Sequence, residues 1–182
     1  MVNEIEDAWY AELRAQYQPE HVRLLLIGES APTDHGGTRP RNFFYADHLG
    51  YDNLDRGVVE ALYDLRGLEK RSHDKRPWLR RLQADGVFLI DLVPYPVNDV
   101  SSKKQRKAIL RENVPGCIER ARALNPDGII LCSSDVFDAL ALPLREAGLP
   151  LLHTRALSFP LGNVRDQFVA GFREAYARLG DH

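Results

Sequence analysis

Four short stretches carry the residues able to do chemistry. The first, residues 28–37 (GESAPTDHGG), holds Glu29, Ser30, Asp34 and His35 among Gly28, Pro32 and the pair Gly36-Gly37. A carboxylate there can orient or deprotonate water, and a glycine lets backbone approach a ligand. The second places Asp91 inside the apolar run VFLIDLV, with Tyr95 and Asn98 just beyond. An ionisable group in such a run must lie at an exposed strand end, be paired, or keep its proton. The third is Ser133-Ser134-Asp135, which reads first as a helix cap, although a helix N-terminus also suits a phosphate. The fourth holds His153, Ser158, Phe159 and Asn163, with His153 equally readable as a core histidine or a site residue. The aromatic run Phe43-Phe44-Tyr45 suits a core, yet an aromatic lining a pocket stacks on a planar base.

The elements that must position these residues follow from the hydrophobic pattern. Residues 22–27 form a continuous apolar run, as expected of a central parallel strand covered on both faces, ending at Gly28. Further strands are expected over residues 87–93, 128–132 and 149–153. Helices are expected over residues 3–16, 54–65, 78–83, 101–124 (one or two, with a break at Pro115-Gly116), 136–147 and 164–179. Strands alternate with helices, which predicts one domain over residues 1–182. Its fold class is a three-layer α/β sandwich with a central, mainly parallel four-stranded sheet. A parallel sheet brings all its C-terminal strand ends to one edge, so the four stretches are expected to share a pocket there.

Composition narrows the function classes. A formal net charge of −2 excludes a basic whole-protein field, so any nucleic-acid contact must use a local patch. Two basic groups offer one: Arg66, Lys70, Arg71, Lys75, Arg76, Arg80 and Arg81, and Lys103, Lys104, Arg106, Lys107 and Arg111. Both read as solvated surface or as phosphate contacts. Two cysteines, Cys117 and Cys132, exclude a four-thiolate cluster within one chain and form no zinc spacing, so no metal or cofactor is expected. The acidic start, the free thiols and the lack of a membrane-length apolar run predict a cytoplasmic chain without membrane association.

The strand-end motifs resemble the uracil-DNA glycosylase superfamily, in particular a glycosylase-like branch with GES-x-P, FFY and FP-x-GN segments. Gly28-Glu29-Ser30-Ala31-Pro32 is similar to the family's first motif, with one extra residue before the proline. Residues 86–91 (GVFLID) resemble the strand that ends in a base-reading Asn, with Asp91 in its place. Residues 158–163 (SFPLGN) stand where the family carries its last motif. The resemblance implies the glycosylase fold and hydrolysis of the N-glycosidic bond of a deaminated or damaged base in DNA, as in base-excision repair. It implies water activation by Glu29 or Asp34, since Ser30 replaces the usual Asp or Asn. Base contacts would come from Phe43, Phe44, Asp91, Ser158 and Asn163, and backbone or phosphate contacts from Gly28, Pro32, Ser133 and Ser134. Asp91 also alters the readout, because an ionised carboxylate accepts from N–H groups but cannot donate to a carbonyl.

Two other readings stand beside this one. The same fold could bind a nucleobase, a nucleotide or nucleic acid without turnover. Alternatively, Gly28-Glu29-Ser30 is similar to the Gly-Asp-Ser strand end of a serine esterase family, with His153 as base.

Overall fold

The computed structural model describes residues 8–33, 42–64, 74–97 and 100–180. Its centre is strand β1 (Leu24–Ser30), whose first five residues are all buried. Successive strand residues point to opposite faces, so unbroken burial means that both faces of the sheet are covered. Strands β2 (Val87–Val93) and β3 (Gly128–Leu131) are buried throughout and flank β1 in the order β2-β1-β3. Both pairings are parallel, with Gly28 opposite Asp91 and Ile27 opposite Leu131.

Strand β1 runs past the apolar stretch and carries Gly28, Glu29 and Ser30 as its last residues, where the sequence pattern expected a loop. The extension is paid for by backbone pairing with β2, out to Ser30 opposite Val93.

The helices are α1 (Ala8–Gln16), α2 (Asn53–Tyr63), α3 (Arg76–Ala84), α4 (Lys103–Glu112), α5 (Val114–Leu124), α6 (Ser134–Glu146) and α7 (Arg165–Tyr176). Local chemistry sets several boundaries. The Asp52, Ser102 and Ser133 side chains cap α2, α4 and α6, accepting from the amides of Asp55, Gln105 and Val136. Residues 101–124 divide at Asn113, and Pro115 sits in the first turn of α5, where its missing N–H costs nothing. Helices α4, α5 and α6 pack on one another and on the sheet, while α2 packs along α7. Gly57 allows that last approach, since a Cβ there would stand 2.9 Å from the Phe168 ring. Among the described residues no helix is long and apolar enough to cross a membrane.

The expected fourth strand is not formed; among the described residues the sheet has three. Residues 149–153 run beside β3 but make a single bridge, Ile129 with Leu151. Pro150 cannot donate to a ladder. The His153 imidazole then intercepts the next amide, with Leu131 N–H donating to its Nε2 at 2.9 Å. Arg178 and Arg145 donate to the Leu152 and His153 carbonyls at 2.8 and 3.0 Å, so side chains occupy the groups a ladder would need.

Candidate functional site

The C-terminal ends of all three strands open into one cavity of about 370 Å³. β1 is the central strand with a neighbour on each side, and open α/β sheets bind ligands outside such strand ends. Of the residues singled out in the sequence, Gly28, Glu29, Ser30, Pro32, Phe43, Phe44, Asp91, Ser133 and Ser134 line it. Asp34 and Asn98 lie outside the described residues.

Asp91 forms the floor. The residue is about 5% exposed, and its Oδ2 stands 3.4 Å from an Arg14 guanidinium nitrogen on α1. Arg120 of α5 does not reach this carboxyl but donates to the Asp91 and Leu92 carbonyls at 2.8 and 2.9 Å. Burial pushes the Asp91 carboxyl up to about 6; Arg14 and Arg120 oppose the shift, and Glu29 and Asp52 add to it. The facing residue must be glycine, because a Cβ at position 28 would stand 2.8 Å from Asp91 Oδ1.

Glu29 is held by an ion pair with Arg106, which reaches over from α4. The Phe43-Phe44-Tyr45 run supplies a wall. Phe43 packs edge-on against Tyr10, with centroids 4.7 Å apart, and Phe44 against Tyr45 at 5.1 Å. The Tyr45 hydroxyl accepts from Leu89 N–H at 2.6 Å and donates to Leu89 O at 3.1 Å, covering part of the open edge of β2. Lys75 anchors the run from behind. It is fully buried, and its Nζ donates to the Phe43 and Phe44 carbonyls, each at 2.8 Å, and to Asp52 Oδ2 at 2.9 Å. Its assignment to an exposed basic patch is therefore corrected: burial is possible because three acceptors surround the ammonium.

Two expectations about the fourth stretch change, and the open reading of His153 is decided. Ser158 does not reach the cavity; it lines a second one on α7, with His153, Gln167 and Glu174. Phe159, the next residue and about 39% exposed, faces the strand ends instead. Asn163 is exposed in the 3-10 turn Gly162–Val164 that leads into α7, and does not line the cavity. His153 is a core histidine: Nε2 accepts from Leu131 and Nδ1 donates to Arg155 O at 2.8 Å. Burial and the nearby Arg145 and Arg178 lower its pKa, which keeps it neutral. His153 lines the second cavity, so it does not stand beside Ser30 as a base.

Sequence reasoning missed Asn42, Asp52, Leu54 and Leu89 as lining residues, left Arg106 between solvated surface and phosphate contact, and read Asp135 first as part of a cap. Asp52 had a usable signal, an Asp two residues before the helical stripe that begins at Leu54. Arg106 had none, since its partner Glu29 is 77 residues away in sequence. Cys132 also lines the cavity, but burial pushes its thiol up to about 12, which makes it a poor nucleophile.

The lining thus combines an aromatic wall, a nearly buried carboxyl pushed up to about 6, and a carboxylate fixed by a guanidinium. Such a set can hold a flat nitrogen heterocycle by its edge and orient a water beside it. No protein-family model matches the chain, and no curated protein or solved structure matches it either.

Proposed function

We propose that the strand-end cavity takes a nucleobase flipped out of DNA and that the protein hydrolyses its N-glycosidic bond. The observation that carries this reading is the convergence of Glu29, Asp91 and the Phe43-Phe44 wall on one cavity. A base entering it would lie along the aromatic wall and turn its edge to Asp91. Glu29, kept in place by Arg106, would orient a water molecule. As the bond breaks, its electron pair leaves with the base nitrogen, which takes up a proton. The sugar carbon gains oxocarbenium character and bonds to the water oxygen (compare glycosidases, where carboxylates serve the same purpose). The parallel sheet with a crevice at its strand ends also supports a uracil-DNA glycosylase-like architecture for the chain.

Oligonucleotides carrying uracil, hypoxanthine, xanthine or an N-alkylated adenine test this proposal. Abasic product is expected from at least one, with Glu29→Gln lowering the rate by roughly 100-fold or more. The absence of abasic product across the panel sinks the catalytic reading.

One observation favours a second reading, a nucleobase-binding module without turnover. The Glu29 carboxylate is already engaged by Arg106, and the neighbouring strand residue is a serine. This reading expects thermal stabilisation by nucleosides with no product, and Phe44→Ala or Asp91→Ala should abolish the stabilisation.

A further inference from the structure

We propose that Asp91 selects bases that present a donor edge, an exocyclic amine beside a ring nitrogen, over the matching oxo bases. The inference rests on the reading of the cavity as a nucleobase site. It narrows the ligand to 4-aminopyrimidines and 6-aminopurines, including damaged forms that keep the amine.

The polar atoms of the cavity differ in what already holds them. Asp91 Oδ2 faces Arg14, while Oδ1 turns toward Gly28. Gly28 leaves Oδ1 uncovered, since any side chain there would meet it at 2.8 Å. Asp52 is occupied on both sides: it accepts from Lys75 Nζ and from the Asp55 amide. One Glu29 oxygen, Oε1, is engaged by Arg106, the one cation lining the cavity among the described residues, and the other is the one assigned to water. The Ser133 hydroxyl already accepts the cap bond from Val136. The open charged group on the floor is therefore an acceptor, and a ligand must bring the donor. An amine donates to it directly. An oxo group at the same position turns a second acceptor toward the carboxylate, and the base then has only its ring N–H to donate.

The test is calorimetric titration of the full chain at pH 8 with deoxycytidine against deoxyuridine, and deoxyadenosine against deoxyinosine. The amino member of each pair is expected to bind roughly 10- to 100-fold more tightly, the worth of a hydrogen bond to a charged group. Asp91→Asn, whose amide can donate, should bring that ratio to one or invert it. Wild-type protein at pH 5 gives the same comparison without a substitution. Protonation of Asp91 supplies a donor, so the preference should shrink as pH falls through about 6. The groups facing Asp91 through this titration are Arg14 on α1, Arg120 and Cys117 on α5, Glu29 on β1, Asp52 at the cap of α2, and Cys132 after β3. Equal binding of amino and oxo members, or a preference unchanged between pH 5 and 8, overturns the selection by Asp91 and leaves the nucleobase site standing. Failure of all four nucleosides to bind overturns both.

Discussion

Asp55, in the first turn of α2, is completely buried, and neither of its carboxyl oxygens has a hydrogen-bond partner. Burial therefore holds its carboxyl well above the usual carboxylate range; Asp52 adds to the shift, and Lys75 and Arg56 oppose it. A raised folded-state pKa means that the native chain binds this proton more tightly than the unfolded chain. Stability from this group is then fully present below the ordinary Asp pKa and is lost as pH rises through the folded value. Asp55→Asn removes the penalty. It should raise the stability measured by urea unfolding at pH 8 by roughly 1–3 kcal/mol, with the gain vanishing toward pH 4. A loss of stability at pH 8 would mean that attraction to Lys75 outweighs burial.

The segment between β1 and α2 depends on a lysine that precedes α3. Lys75 meets two backbone carbonyls of the aromatic run and the capping carboxylate of α2, so one ammonium ties three parts of the chain to the cavity wall. Removing one partner of a buried pair leaves the other uncompensated. Lys75→Met is expected to cost about 3–5 kcal/mol in urea unfolding and to abolish nucleoside binding. Addition of Asp52→Leu should restore part of the stability but not the binding, because the carbonyls of Phe43 and Phe44 still lack their donor. Full recovery of both would rule out Lys75 as the anchor of the wall. The same scale explains the lost fourth strand. Residues 149–153 have strand-like composition, but the donors and acceptors they need are taken by side chains from α6, the C-terminal turn and His153 itself.

Across the whole molecule, the net charge of −2 makes the local arrangement of cations decisive. Lys103, Lys107 and Arg111 repeat every four residues along the exposed side of α4, whose Arg106 reaches the cavity. If nucleic acid lies across this mouth, its phosphates follow that stripe. Affinity for a single-stranded oligonucleotide should fall as salt rises. Replacing the three residues with alanine should reduce the slope of log K against log salt by roughly two units. An unchanged slope would move the backbone path elsewhere.

Features governed by neighbouring residues were legible in the sequence. The apolar runs gave three parallel strands, the cap at Ser133 set a helix start, and Asp91 stood out because a charge inside a buried run needs an explanation. Each depends on chemistry within a few positions. The tertiary structure alone decided which distant groups meet. It buried Lys75 among acceptors, brought Arg106 to Glu29, turned Phe159 rather than Ser158 to the strand ends, and engaged His153 with the backbone. Those outcomes depend on strand register and helix packing, which bring together atoms that no local pattern relates.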